Sequence, residues 1–123
     1  MSAAMRPWLT SAALLGFLCV ALGAFAAHGL ADPKAQAWMR TGAEYGFVHV
    51  LASLASLGLV RAGAPRARLA PRLFLPGVAI FSGALAGLAL GGPLWLGAIA
   101  PIGGVLFLAG WAVLAWATRQ IEI

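Results

Sequence analysis

Long apolar segments separated by short polar ones dominate the chain. The longest segment without a charged residue covers residues 73–118 and is 46 residues long. As a single helix it would measure about 69 Å, more than twice the ~30 Å hydrocarbon core of a membrane. It must therefore fold back. Gly91, Gly92 and Pro93 mark the turn, because glycine and proline together interrupt helices.

Two further apolar segments can also form spanning helices. Residues 7–31 are long enough to cross a membrane, and Pro7 suits the first turn of a helix. Residues 45–60 are short, so the second span is expected to begin near Thr41, which places Glu44 just inside the membrane boundary. The pattern predicts an all-α membrane protein: a four-helix transmembrane bundle in one domain, residues 1–123. Its helices are expected at about residues 8–30, 41–60, 73–91 and 95–117.

Composition agrees with this prediction. The chain is 63% apolar and 9% charged, whereas a soluble domain carries about 25% charged residues. These values exclude a soluble enzyme domain and a disordered tail. The net charge of +5 is concentrated in the loop at residues 61–72, a pattern typical of a connection between two spans rather than of nucleic-acid binding. The single cysteine, Cys19, excludes an intrachain disulfide.

The distribution of basic residues predicts the orientation. With four spans, both termini and the loop at residues 61–72 lie on one side. That side carries six arginines: Arg6, Arg61, Arg66, Arg68, Arg72 and Arg119. The opposite side carries only Lys34 and Arg40, so both termini are expected in the cytoplasm of a multi-pass protein of the bacterial inner membrane.

A cleaved signal peptide is the competing interpretation of the first helix. Ala24, Phe25 and Ala26 resemble a cleavage site that follows a basic residue and an apolar stretch. The stretch is about 18 residues long, however, against 7–15 in signal peptides. Cleavage would also leave three spans and move the C-terminus away from the side of the basic loop. We therefore retain the first helix.

Polar side chains inside the spans are the candidate functional residues, because ionisable groups are costly in a membrane. His28, Glu44, Tyr45 and His49 are expected to cluster in the outer half of the first two helices. The favoured interpretation is structural, with Glu44 pairing with a histidine or with Arg40 across the two helices. A proton-transfer or polar-ligand site is the second interpretation and a metal site the third. The metal spacing is poor, and neither a catalytic constellation nor a cofactor site is predicted.

The glycines indicate helix packing rather than phosphate binding. A glycine or alanine at every fourth position lets two helix backbones approach closely. The predicted packing residues are Gly23, Gly42, Gly46, Gly83, Gly87 and Gly91. Pro101, followed by Gly103 and Gly104, predicts a kink in the fourth helix.

Several motifs resemble one family. Residues 23–30 (GAFAAHGL) are similar to the GAFGAHGL signature of an uncharacterised family, number 423 among the domains of unknown function, which includes YgdD/YwdK-type small membrane proteins and is related to transmembrane protein 256. Further matches are Tyr45 with His49, and the segments at residues 81–83, 101–104 and 110–111. Ala26, Ala86 and Ala100 depart from the family pattern. The resemblance implies a four-helix inner-membrane protein and no established activity.

Two functional hypotheses follow. The first is a non-enzymatic packing or assembly partner that binds membrane lipids and other membrane proteins or copies of itself, without nucleic acid. The second is an oligomeric small transporter or channel, in which His28, Glu44 and His49 line a proton or solute path. A dry, closed bundle would favour the first hypothesis, and a polar cavity that reaches His49 the second.

Overall fold

The structure, a computed structural model, describes residues 2–122 and contains four long helices. They are α1 (Ser2–His28), α2 (Pro33–Arg61), α3 (Ala70–Ala89) and α4 (Leu96–Thr118). A 3₁₀ segment, Pro65–Leu69, joins α2 to α3. In the described part of the chain, four helical stretches are long and apolar enough to cross a membrane. The predicted all-α fold with four spanning helices is confirmed.

Three helices begin earlier than expected: α1 and α2 by six and eight residues, and α3 by three. The second begins at Pro33 because Asp32 caps it: one Asp32 carboxylate oxygen accepts a hydrogen bond from the Ala35 N–H at 3.2 Å, and proline suits the first helical position. Since α1 begins at Ser2, Pro7 is its sixth residue and lies beyond the first turn, where it was predicted.

Glycine ends both α2 and α3 in the same way. Gly91 has φ +91°, its N–H donates to the Leu88 carbonyl at 3.1 Å, and the Gly92 N–H donates to the Gly87 carbonyl at 2.8 Å. This is a Schellman cap, which needs a residue in the left-handed conformation that glycine adopts without strain. Gly63, with φ +107°, ends α2 in the same arrangement. The turn predicted at residues 91–93 is therefore present.

The helices pack in chain order. The largest contacts join α1 to α2, α2 to α3, and α3 to α4, whereas α2 and α4 touch only slightly. The core centres on α3, where Phe74 and Val78 are fully buried, and Val50 of α2 packs in the same cluster. The first helix is the least covered, with Phe17 74% and Leu14 64% exposed. One long side of the α1–α2 pair is therefore open.

Glycine allows the closest approach of α3 and α4. A Cβ atom on Gly103 would lie 2.6 Å from the backbone nitrogen of Phe81 and 2.7 Å from the Gly77 carbonyl oxygen. No side chain fits at these distances, so the two backbones are in direct contact. Gly104 has no neighbouring atom within 4 Å of its Cβ position. Because Pro101 is only the sixth residue of α4, the carbonyl that it deprives of a helical partner lies near the start of that helix.

Three helices meet at Gly46. A Cβ atom there would lie 2.7 Å from both the Cys19 sulfur of α1 and the Ser82 hydroxyl of α3. One turn earlier, the Ser82 hydroxyl donates to the Gly42 carbonyl at 2.6 Å. At Gly23 the nearest atom to the Cβ position is the Ala43 methyl carbon at 3.7 Å, an ordinary contact. These glycines lie at helix contacts.

Of the predicted stripe along α3, only Gly87 lies against a neighbouring helix in the described part of the chain. Neither Gly83 nor Gly91 has an atom within 4 Å of its Cβ position, and Gly91 serves instead as the helix cap. At Gly87 the neighbour is the flexible end of Leu96, at 2.8 Å. A glycine repeat permits close approach but does not cause it, and α4 approaches α3 on the side of Gly77.

Candidate functional site

His49 is the most constrained polar residue of the bundle. It lies on α2, is 6% exposed, and uses both ring nitrogens. Its Nδ1 lies 2.6 Å from the Tyr45 carbonyl oxygen, and its Nε2 lies 2.9 Å from the indole nitrogen of Trp111 on α4. A carbonyl only accepts and an indole N–H only donates, so these partners assign the proton to Nδ1 and make the ring neutral. A second proton, on Nε2, would require the bond to Trp111 to break.

Aromatic rings enclose the imidazole. Phe107 of α4 stacks on it with ring centroids 3.7 Å apart and an angle of 6° between the planes. The ring of Phe74 on α3 lies tilted at 5.2 Å, and that of Trp111 lies edge-on at 5.8 Å. Since α2 and α4 otherwise touch little, His49 is a main connection between them, with α3 underneath.

The structure does not bring together the other members of the predicted cluster. His28, at the end of α1, and Glu44, on α2, are both exposed, and within residues 2–122 neither makes a hydrogen bond or an ion pair. The predicted pairing of Glu44 with a histidine or with Arg40 is therefore absent from the described chain. Gly23 lies next to Ala43, so Glu44 is level with about residue 22 of α1, and His28 lies about 9 Å farther out along the helix axis. The expectation that the two side chains lie at the same depth is therefore wrong.

Tyr45 contributes through its backbone rather than its hydroxyl. Its carbonyl accepts the His49 proton, while its side chain is 52% exposed and packs on Phe81 with ring centroids 5.3 Å apart. The tyrosine thus covers the edge of the α2–α3 contact. Within residues 2–122 its hydroxyl makes no hydrogen bond.

A shallow cleft opens beside this group. It has a volume of about 260 Å³ and is lined by Glu44, Tyr45, Val48, His49 and Trp111. The cleft opens sideways between α2 and α4, and its walls come from two turns of α2 and one residue of α4. Within residues 2–122, no group of three histidine, cysteine, aspartate or glutamate side chains could hold a metal ion. The arrangement can fix helices and present one carboxylate, but it does not align a nucleophile with a base.

Sequence reasoning missed the residues that hold His49. Trp111 is separated from His49 by 62 positions, and Phe74 and Phe107 read as ordinary core residues. One signal was available. Trp111 lies deep in its span, unlike the tryptophans near span ends, and a deep indole N–H needs a hydrogen-bond acceptor.

Fold and site together define a class: a small four-helix membrane protein whose buried polar group ties three helices to one another. Comparison with known proteins agrees. The family described as "Protein of unknown function (DUF423)" matches residues 22–104, and the chain belongs to this family. This confirms the resemblance found in the sequence motifs.

Named relatives cover nearly the whole chain. A "UPF0382 membrane protein" of Haemophilus influenzae is 48% identical over 89% of this chain and 90% of its own length. The "UPF0382 inner membrane protein YgdD" of Escherichia coli K12 is 42% identical over 89% and 86%, and YwdK of Bacillus subtilis is 35% identical over 89% and 94%. No solved structure matches. With four spanning helices and relatives of these names, the predicted location in the inner membrane is confirmed.

Proposed function

We propose that the protein is a non-enzymatic assembly partner in the inner membrane, with both termini in the cytoplasm, and that its open α1–α2 side binds a second copy of the chain. The observation that carries this proposal is the carboxylate of Glu44. It is exposed on the outside of the bundle. It also lies within the part of α2 that we infer to cross the membrane.

The depth follows from the length of α2. This helix has 29 residues and measures about 43 Å. Glu44 lies 17 residues from Arg61, the last residue of the helix, or about 26 Å along its axis. If Arg61 marks the cytoplasmic boundary, Glu44 falls near the outer edge of the ~30 Å hydrocarbon core. Charged side chains at membrane depth face protein or water and pair with one another.

A complementary charge lies one turn away. Arg40 is exposed on α2, four residues before Glu44 and about 6 Å farther out along the axis. In a symmetric dimer whose axis is perpendicular to the membrane, both copies present these residues at the same depths. Arg40 of each copy then lies within reach of Glu44 of the other, and two reciprocal ion pairs form.

The shape of this side also suits a second helix. A groove of about 520 Å³ runs between α1 and α2, with Ala13 and Gly16 on one wall and Phe47 and Leu51 on the other. Small residues let a neighbouring helix approach, and van der Waals packing drives helix association in membranes. Since Glu44 also borders the adjoining groove, with Cys19 at its base, the charge and the groove belong to one continuous surface.

The environment of the two buried nucleophilic side chains, Ser82 and Cys19, supports a non-enzymatic role. The Ser82 hydroxyl is buried and donates to the Gly42 carbonyl, and the Cys19 thiol is buried against Gly46. Neither has an acid–base partner among the described residues. His49, the best general base by residue type, already uses both ring nitrogens.

The test is the oligomeric state of the full chain in mild detergent and in lipid vesicles, measured by light scattering and by energy transfer between labelled copies. Glu44→Gln and Arg40→Gln are each expected to weaken association. The exchange Arg40→Glu with Glu44→Arg restores both ion pairs and is expected to recover it.

Two variants of equal added volume test whether the groove between α1 and α2 is the interface. Ala13→Phe fills the groove, whereas Ala112→Phe adds the same volume to an exposed position on α4. Association should fall only for Ala13→Phe. A monomeric wild-type chain at high protein-to-lipid ratios would refute the proposal, as would equal effects of the two variants.

A transport role for several copies is the second candidate. The observation that favours it is the cleft, which brings Glu44 and the edge of His49 to one opening. Vesicles that contain the protein and a pH-sensitive dye test it, because transport predicts proton or cation flux that Glu44→Gln abolishes. Flux equal to that of empty vesicles would remove this candidate and leave the assembly role.

A further inference from the structure

One end of the bundle carries a ring of arginines that comes from every part of the fold. We call it the arginine collar, and its members are Arg6, Arg61, Arg66, Arg68, Arg72 and Arg119. Arg66 is half-buried, and the other five are exposed. Of the three acidic residues in the chain, only Glu122 lies at this end, since Asp32 caps α2 at the opposite end and Glu44 lies in the outer half of that helix.

The collar is held in place rather than carried on a loose loop. Ala64, Ala67 and Ala70 are fully buried and fix the 3₁₀ segment against α2, α3 and α4. The backbone N–H of Arg66 donates to the Gln120 side-chain oxygen at 2.9 Å. A loop that only set the orientation of the helices would not need such an anchor.

Two of the arginines lie against tryptophan rings. The Arg66 guanidinium is 4.0 Å from the ring of Trp116, whose carbonyl accepts one of its N–H groups at 3.3 Å. The Arg72 guanidinium is 5.8 Å from the ring of Trp8. Tryptophan favours the level of the lipid headgroups, so both guanidinium groups lie where phosphates lie. Arg66 uses one of its five N–H donors on Trp116, which leaves the others for a ligand.

We propose that the arginine collar binds the phosphodiester headgroups of anionic phospholipids in the leaflet on its side of the membrane. Guanidinium groups match phosphate with two parallel hydrogen bonds, and basic pockets between spanning helices attract anionic headgroups. Arg66 and Arg72, each held on a tryptophan, are the principal ligands. The remaining arginines of the collar attract the same headgroups electrostatically when they lie within one Debye length of them. This surface is separate from the α1–α2 groove and does not depend on the proposed dimer.

The experiment follows thermal unfolding of the full chain in neutral detergent during titration with phosphatidylglycerol, phosphatidylcholine or inorganic phosphate. Phosphatidylglycerol is expected to stabilise the chain at lower concentration than phosphatidylcholine. Each arginine removed should raise the half-saturating concentration about fivefold. Added salt should weaken the effect of phosphatidylglycerol and leave that of phosphatidylcholine unchanged.

The chain offers a matched control at its opposite end. Lys34 lies 5.0 Å from the ring of Trp38, so Lys34→Gln removes a cation from a tryptophan just as Arg72→Gln does. Only Arg72→Gln should weaken the binding of phosphatidylglycerol. If Arg66→Gln unfolds the chain, Arg68→Gln tests the collar at an exposed side chain instead.

Three results would overturn the proposal. The first is equal stabilisation by phosphatidylglycerol and phosphatidylcholine. The second is an equal loss in Lys34→Gln and Arg72→Gln, which would show an effect of net charge alone. The third is equal stabilisation by inorganic phosphate at the same concentration, which would identify a free anion as the ligand rather than a lipid.

Discussion

Replacement of Trp111 by phenylalanine tests whether His49 connects the helices as the structure indicates. The substitution keeps an aromatic ring and removes the indole N–H that donates to His49 Nε2 at 2.9 Å. Because His49 is 6% exposed, the acceptor is left without a partner in a buried position. Such a loss costs about 1–3 kcal/mol in soluble proteins, while hydrogen bonds between membrane helices average about 0.6 and reach about 1.7 kcal/mol. We expect about 1 kcal/mol from this bond.

The single variant also loses contact area, so a double-mutant cycle is needed to isolate the bond. His49→Phe keeps a ring that can stack on Phe107 and removes both nitrogens. The destabilisation of the double variant should be smaller than the sum of the two single effects by about 1 kcal/mol. The free energy of unfolding, measured by detergent-driven equilibrium unfolding in mixed micelles, gives all four corners of the cycle.

A control and an independent readout accompany this cycle. Trp95→Phe removes an indole that is 63% exposed and makes no hydrogen bond within the described residues, and it should not couple to His49→Phe. Nitrogen-15 spectra of labelled His49 should show the neutral ring with its proton on Nδ1. Additive effects of Trp111→Phe and His49→Phe, within about 0.3 kcal/mol, would refute the connection.

Three further predictions concern neighbouring contacts. Gly103→Ala should destabilise the bundle by about 1–3 kcal/mol through overpacking, whereas Gly104→Ala should be neutral or stabilise it by up to ~1 kcal/mol, as read from unfolding midpoints in micelles. Ser82→Ala should cost about 0.5–1.5 kcal/mol in the same assay because the hydrogen bond from its hydroxyl is lost. His28→Ala and Glu44→Gln should act additively in a double-mutant cycle, and coupling above about 0.5 kcal/mol would contradict the separation of these side chains.

The number of helices and the main turn could be predicted from the sequence because both depend on local properties. Charge-free length decides how often the chain must cross a membrane, and the turn needs a glycine with the left-handed conformation found at Gly91. The start of α2 was missed because Lys34 and Arg40 made residues 33–40 look unlike a span. Asp32 followed by Pro33 was the signal that a helix begins there, since capping does not depend on the membrane.

The contacts of the site could not be predicted, because they depend on how each helix is rotated about its axis. The sequence suggested that His28 and Glu44 lie at the same depth and pair, but α2 begins at Pro33, which places Glu44 deeper than His28. The contact between His49 and Trp111 requires α2 and α4 to lie side by side over α3, which no pattern within one helix specifies. In the same way, a glycine repeat indicates that another helix could approach α3 at Gly83, but α4 packs against a different side of α3.

The packing of the helices in chain order has a consequence for biogenesis. On leaving the translocation machinery, α2, α3 and α4 each find a main partner already in the membrane, because each packs extensively on the helix made just before it. Contacts close in sequence form quickly, since little chain entropy is lost when they close. The bond from Trp111 to His49 is different: it joins the last helix to the second and can form only after α4 has inserted. It therefore forms after the pairings of neighbouring helices and connects α2 to α4 once both helices are in the membrane.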